Sequence, residues 1–259
     1  MLRHFASLSD LEGIVHAVST RHGGVSVGPF ESLNVGLHVG DDPEAVLENR
    51  RRLCEAAGVD PASLVAGAQV LGNAVAWVTE RDRGRGASDA ATALPDTDAL
   101  ITDSRGVTLI AFSADCPLVA LVDPGRRAIG LVHASRRGTL GRIAERTVRA
   151  MERLLGCRPA DLRAAIAPSI GPCCYEVGEE VLAEARAALP EADRFFRRRN
   201  GRLHLDLWVA NAAQLVEAGL PPERVEAPTL CTRCRSDEFF SYRASGGRTG
   251  RFALLLGLR

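Results

Sequence analysis

Three short apolar runs stand close together in the middle of the chain, and nothing else in the sequence limits the fold as strongly. They are residues 106–115 (Gly-Val-Thr-Leu-Ile-Ala-Phe-Ser-Ala-Asp), Leu118 to Asp123 and Ala128 to His133, with the turn pair Pro124-Gly125 after the second. Short aliphatic runs bounded by glycine, proline and aspartate read as strands. Their spacing predicts a meander that goes out, back and out again. An amphipathic helix is predicted next, over Thr139 to Leu155. There Leu140, Ile143, Ala144, Val148, Met151 and Leu155 form one stripe, and Gly156 stands behind it as a stop.

The same interleaving continues on both sides. Ile14 to Ser19 reads as a strand, and Pro43 to Ala57 as a helix with Asp42 as cap, proline at its first position and Gly58 as its end. Leu64 to Val70 and Ala74 to Val78 flank Gly72-Asn73, which predicts a hairpin. Ala99 to Thr102, Leu162 to Ala167 and Phe252 to Leu256 are further strands. Glu179 to Ala188 and Leu207 to Ala218, the latter capped by Asp206, are helices. Meanders with helices inserted between them argue against a strictly alternating parallel sheet. No Gly-x-Gly-x-x-Gly follows a strand, which leaves a nicotinamide cofactor without support. The reading is α/β: a sandwich with mixed β-sheets and flanking helices, expected to be a single domain over residues 1–259 because no proline-, glycine- or serine-rich seam divides the chain.

Charge and cysteine content narrow the function classes. The 32 basic and 32 acidic residues balance, so no nucleic acid partner is indicated. Every basic residue is arginine. The absence of lysine excludes a Schiff-base lysine, a lysine general base and the lysine of a phosphate-binding loop. No apolar stretch reaches the ~18 residues of a membrane span and the start lacks the apolar segment of a signal peptide, so a cytoplasmic protein with no membrane partner is expected. Seven cysteines, an odd number scattered over a long chain, suit reduced thiols better than a disulfide framework. Cys231 and Cys234 have ligand-like spacing without a second pair at zinc-finger distance, and Cys173-Cys174 does not supply one. Both pairs are therefore read as structural.

The candidate chemistry lies at the ends of the central runs. Cys116 and His133 stand at matching points beside neighbouring strands, where a thiol and an imidazole can act as nucleophile and base or as two ligands of a soft metal such as zinc. Buried cysteines and strand-end histidines also occur as plain core and capping residues, and the spacing alone leaves these alternatives open. Residues 20–26 and 32–41 pack glycines, Asn34, His22 and His38 into a loop suited to surrounding a small molecule. Ser135-Arg136-Arg137-Gly138 precedes the predicted helix start at Thr139, where a guanidinium and free amides could hold phosphate. Ser241-Tyr242-Arg243 and Thr249-Gly250-Arg251 are suited to line a pocket.

Taken together these segments resemble the YfiH-like, laccase-domain proteins, once called multicopper polyphenol oxidoreductases and regarded as purine nucleoside phosphorylases. The resemblance covers nearly the whole chain. Its carriers are residues 20–26 (Thr-Arg-His-Gly-Gly-Val-Ser), 32–36 (Ser-Leu-Asn-Val-Gly), 39–43 (Val-Gly-Asp-Asp-Pro), 48–50 (Glu-Asn-Arg), 114–117 (Ala-Asp-Cys-Pro), 132–134 (Val-His-Ala), 170–172 (Ile-Gly-Pro), 175–178 (Tyr-Glu-Val-Gly), 239–243 (Phe-Phe-Ser-Tyr-Arg) and 249–251 (Thr-Gly-Arg). The resemblance implies a cytosolic enzyme that cleaves adenosine, inosine, guanosine or methylthioadenosine with phosphate and can deaminate adenosine. It also implies a metal site, usually zinc and sometimes described with copper, made by one cysteine and two histidines. Cys116 and His133 match two of these ligands, and Arg137, Asn34 and Arg243 are the expected substrate or phosphate contacts.

The third ligand is missing. The family's first histidine follows Gln-Val, and this chain reads Gln69-Val70-Leu71-Gly72. A hydrocarbon cannot bind zinc, so the site is expected to be weakened or metal-free, with His22 or His38 as substitutes. The family's His-Ala-Gly-Trp-Arg-Gly is replaced by His133-Ala134-Ser135-Arg136-Arg137-Gly138. Three functions are consistent with these departures. One is a phosphorylase of impaired activity. Another is a metal-free Cys116–His133 hydrolase or amidase, for which peptidoglycan-precursor editing is one proposed family role. The third is a pocket that binds nucleoside without turning it over.

Overall fold

A computed structural model describes residues 1–259. Two mixed sheets face one another. The five-stranded sheet runs in the order Leu2–Arg3, Ile14–Ser19, Phe252–Leu258, Thr108–Ser113, Leu64–Ala66. The six-stranded sheet runs Val225–Glu226, Arg163–Ile166, Leu118–Asp123, Ala128–His133, Ala99–Thr102, Val75–Trp77. Most neighbours are antiparallel, but Leu64–Ala66, Val75–Trp77 and Val225–Glu226 each pair in parallel. A small third sheet joins Glu176–Val177, Arg202–Leu205 and Phe196–Arg199.

The alternation of side chains along the central strands sorts them into layers. Leu118, Ala120 and Val122 point into the apolar space between the two sheets, where they meet Leu109, Ala111, Phe252, Leu254 and Leu256. Val119 and Leu121 point the other way, with Ile101 and Val132, onto Ile143, Ala144, Val148 and Met151 of the Ile143–Leu155 helix. On the far side of the five-stranded sheet, Ile110, Phe112, Ala253 and Leu255 bury Leu53 and Cys54 of the Pro43–Ala57 helix. The result is a helix, sheet, sheet, helix sandwich, as the mixed order of elements predicts. Asp42 caps the Pro43–Ala57 helix by accepting from the Glu44 amide, and Gly58 ends it in the left-handed conformation.

Three expectations are corrected. The central runs do not form one meander. Leu118–Asp123 and Ala128–His133 pair as a hairpin, but Thr108–Ser113 belongs to the opposite sheet, so Ala114 to Pro117 is a crossing between layers. Asp115 turns that crossing at φ 106°. Its carboxylate accepts from the Thr232 hydroxyl at 2.7 Å and from the Arg243 amide at 2.7 Å, fixing a backbone shape that non-glycine residues seldom adopt.

The second correction concerns Gly72-Asn73, which does not make a hairpin. Leu64–Ala66 and Val75–Trp77 lie in different sheets, because the Asp98 carboxylate gathers the amides of Val70, Leu71 and Gly72 at 3.0, 3.2 and 2.8 Å and curls the connection around itself. The third concerns the predicted helix from Thr139, which begins earlier and breaks. Arg136–Leu140 and Ile143–Leu155 are separate, with Arg142 left-handed at φ 59° between them. The Gly141 carbonyl is taken by the Asn73 and Arg146 side chains, both at 2.9 Å, in place of a helical amide.

Candidate active site

The crossing at Ala114–Pro117 and the C-terminal end of the Ala128–His133 strand meet at one edge of the sandwich. In the hairpin register Leu118 faces His133, which puts the thiol two residues earlier beside the imidazole. Cys116 and His133 line one cavity of about 550 Å³, a size suited to a small-molecule ligand. The two side chains singled out by their strand positions therefore converge on one cavity.

His133 is 4% exposed and held on two sides. Its backbone amide donates to the Asp98 carbonyl at 2.8 Å and its Nδ1 lies 2.8 Å from Asp98 Oδ1. That leaves Nε2 for Cys116 and the cavity. Burial alone would lower the His133 pKa. The hydrogen bonds and charges of Asp98 and Cys116 override it and raise the imidazole from 6.5 to about 9. For Asp98, burial opposes ionisation, but His133 and the Gly72 and Val70 amides hold the carboxyl below its ordinary value. At neutral pH the pair is an imidazolium against a carboxylate.

Asp98 was missed by reading the sequence. The signal that could have found it is a charged residue at the head of an apolar strand, Asp98 before Ala99–Thr102, next to the strand that carries His133.

Leu71 lines the same cavity and is 44% exposed. It sits in the left-handed region at φ 62°, held there by the hydrogen bond its amide donates to Asp98. His38 also lines the cavity, with its ring centroid 6.2 Å from that of Phe112. The ring keeps accessible surface, but that surface lies inside the concavity, where protein atoms still desolvate a charge. This desolvation, then the positive charges of Arg251, Arg50 and His133, push its pKa down to about 4. His38 is therefore neutral at pH 7. His22 is exposed and lines a separate groove near Arg3 and Glu238.

The donor set does not fit a three-ligand metal centre. Only one group of three or more cysteine, histidine, aspartate or glutamate side chains converges within metal-binding range, and it consists of four cysteines away from Cys116 and His133. Neither His22 nor His38 joins Cys116 and His133 to complete a zinc or copper site, and Leu71 offers no donor atom.

The anion-binding elements also shift from their expected places. Arg137 is exposed and is not among the cavity-lining residues. The amides at the helix start are occupied, since Gly138 donates to Ser135 Oγ at 3.0 Å and Thr139 donates to the Ser135 carbonyl at 2.7 Å. The cations that face the cavity are Arg243, Arg251 and His133. Arg243 lies 5.2 Å over the Tyr175 ring and Arg251 lies 6.0 Å from Tyr242. Burial lowers the Arg251 guanidinium from its ordinary value without neutralising it.

Asn34 is fully buried and serves the wall from behind. Its Oδ1 accepts from the Gly36 amide at 3.0 Å and the Arg251 amide at 2.8 Å, and its Nδ2 donates to Asp41.

The two cysteine pairs, kept apart by more than fifty residues of sequence, meet in space. The sulfurs of Cys173, Cys174, Cys231 and Cys234 all lie within 4.8 Å of one another.

Comparison with known proteins agrees with this architecture. The family model described as "Multi-copper polyphenol oxidoreductase laccase" matches residues 15–259. The chain is 43% identical to "Purine nucleoside phosphorylase YlmD" of Geobacillus stearothermophilus over 95% of this chain and 91% of that protein. It is 36% identical to "Adenosine deaminase RL5" of an unknown prokaryotic organism, over 92% and 91%. The crystal structure of the Bacillus licheniformis hypothetical protein YfiH superposes with a TM-score of 0.94 at 36% identity, covering 100% of this chain and 99% of that one. With its sandwich fold, its Cys116–His133 cavity and a match over most of its length, the chain belongs to the multi-copper polyphenol oxidoreductase laccase family, the group of YfiH and YlmD.

Proposed function

We propose that this chain cleaves purine nucleosides with phosphate at the Cys116–His133 cavity, using its own side chains. The observation that carries the reading is the buried His133, braced by Asp98 at 2.8 Å and facing a cavity lined by Arg243 and Arg251. The names of its relatives, purine nucleoside phosphorylase and adenosine deaminase, support purine nucleosides as the substrate class; adenosine, inosine, guanosine and methylthioadenosine are the proposed members. Tyr175, Tyr242 and Phe112 supply aromatic surface for the base. Arg243 and Arg251 hold phosphate, which needs bidentate donors in a chain without lysine.

In this reading a phosphate oxygen forms the bond to the ribose C1′ as the glycosidic C–N bond breaks, and the electron pair leaves with the base. His133 donates its proton to the leaving base and regains one from the phosphate hydroxyl, so protons balance over the cycle. Asp98 orients the ring and stabilises its positive charge. Leucine at position 71, where the family resemblance implies a histidine ligand, is expected to impair the rate. Phosphate-dependent release of free base, measured by chromatography at high enzyme concentration, supports the proposal. No base released, with or without added zinc, rejects it.

A second reading has one observation in its favour. Asp98, His133 and Cys116 follow one another in the order of an acid, base and nucleophile triad. This is the arrangement of a metal-free thiol hydrolase or amidase. Fast alkylation of Cys116 at neutral pH together with phosphate-independent hydrolysis favours it over phosphorolysis, and labelling no faster than a free thiol counts against it.

A cytoplasmic location is part of this proposal, supported by an odd number of cysteines scattered over the chain, which suits a reducing compartment. No helix is long and apolar enough to cross a membrane. The family match over 15–259 supports reading the chain as a single domain.

A further inference from the structure

Four sulfurs from two distant loops converge beside the cavity wall. Cys173 and Cys174 sit in the turn that follows Gly171, where the Cys174 and Tyr175 amides both donate to the Gly171 carbonyl. Cys231 and Cys234 sit in a second turn, closed by the Arg235 amide donating to the Cys231 carbonyl at 2.9 Å. A bridge between Ser169 and Cys231 and a 3.1 Å bond from the Thr232 amide to the Ser169 carbonyl lay one loop along the other. The Cys234 sulfur lies 3.7 Å from that of Cys173 and 3.4 Å from that of Cys174. None of the four is in a disulfide.

We propose that Cys173, Cys174, Cys231 and Cys234 form a closed tetrathiolate site for a structural zinc ion, separate from the Cys116–His133 cavity. Zn–S bonds of about 2.3 Å in a tetrahedron set sulfurs roughly 3.8 Å apart, close to the separations seen here. A bonded disulfide needs about 2.05 Å, so these sulfurs are spaced for a common ion rather than for each other. The Gly171 amide donates to Cys231 Sγ at 3.2 Å, the kind of backbone donor that stabilises a metal-bound thiolate. Arg233, between Cys231 and Cys234 in the same turn, brings a positive charge that offsets part of the two negative charges that four thiolates leave on a divalent ion. Four sulfur ligands leave no open position, so the site is structural rather than catalytic.

The placement gives the ion a task. Ile170 and Tyr175, on either side of the Cys173-Cys174 turn, line the cavity. Thr232, between Cys231 and Cys234, donates to the Asp115 carboxylate that shapes the Cys116 turn. A zinc at the four sulfurs ties the two loops together and holds the wall of the cavity against the Cys116 crossing.

Metal analysis of the full chain tests this directly. Wild type and Cys116→Ser are both expected to carry one zinc per chain, whereas Cys231→Ser/Cys234→Ser loses it. Cobalt substitution should give the intense absorption of a tetrahedral tetrathiolate in wild type and in Cys116→Ser, but not in the double variant. A chelator should lower the melting temperature of the wild type. Should the double variant fail to fold, the wild-type metal content and the cobalt spectrum of Cys116→Ser still decide the matter. Metal-free wild type with no uptake of cobalt overturns the proposal. So does a thiol count in denaturant of five in place of seven, which marks a disulfide among these cysteines. These outcomes are independent of whether nucleoside is cleaved.

Discussion

His133 Nδ1 stands 2.8 Å from Asp98 Oδ1, and the same carboxylate holds the amides of Val70, Leu71 and Gly72. One buried acid therefore braces the candidate catalytic histidine and shapes the backbone at Leu71, the position where the family resemblance implies a histidine. The main chain at Leu71 is held toward the site by these bonds.

Asp98→Asn should lower the raised His133 pKa by removing one of its two supporting partners. The sign follows from linkage: His133 titrates near 6.5 when unfolded and at about 9 when folded, so its contribution is complete below about 6.5 and is lost as pH rises through 9. That contribution is on the order of 3 kcal/mol. The melting temperature of the wild type should fall between pH 7 and 9.5, and Asp98→Asn should be less stable at pH 6 with a flatter profile. Thermal melts across this range check it, and an unchanged slope contradicts the assignment. The depressed Asp98 pKa works in the opposite direction, its stabilisation being lost as pH falls through the folded-state value.

Leu71→His restores a nitrogen donor on a main chain still held by Asp98. Zinc content should rise by about one per chain over that of the wild type, and phosphorolysis should increase. Elemental analysis beside activity assays reads both. Unchanged metal content would mean that the departure runs deeper than one side chain.

Arg251→Gln and Arg243→Gln should each raise the KM for phosphate by about tenfold or more, equivalent to ~1.4 kcal/mol of lost binding. Arg137→Gln, outside the cavity lining, should leave it within about twofold. Initial rates at varied phosphate distinguish these variants, and the reverse ranking would return the anion to the Arg136–Leu140 segment.

Gly250→Ala tests the scaffold behind Arg251. A Cβ at position 250 would come within 2.7 Å of the Phe240 ring and 2.9 Å of Asn34 Cβ, both fully buried. The crowding should cost about 1–3 kcal/mol. Because Asn34 positions the Arg251 amide, phosphate affinity should fall as well. Denaturant melts and phosphate titration report the two effects separately.

Much of the fold was legible because binary patterning and caps carry it. The Pro43–Ala57 helix with Asp42 and Gly58, the Leu118–Asp123 and Ala128–His133 strands and the Phe252–Leu258 strand all follow from local pattern. What failed was partner choice. Strand 108–113 has the same apolar signature whether it joins its sequence neighbour or the opposite sheet, and only Asp115, bound to Thr232 and Arg243 far along the chain, turns it across. The Gly72-Asn73 hairpin failed for a similar reason, since the Asp98 contacts that bend the connection reach across 26 to 28 residues. At the site, Cys116 and His133 could be read from strand ends, and Asp98 left only the weak signal of a charge at the head of an apolar strand. The four-cysteine cluster could not be read, because it depends on long-range convergence that no local spacing encodes.

The most direct test is to incubate wild-type protein of known metal content with inosine or adenosine, with and without phosphate, and to quantify free base and ribose 1-phosphate. Release of both in equal amounts, only when phosphate is present and lost in His133→Ala, is the predicted result. No free base at high enzyme concentration, or release indifferent to phosphate and to His133, would contradict it.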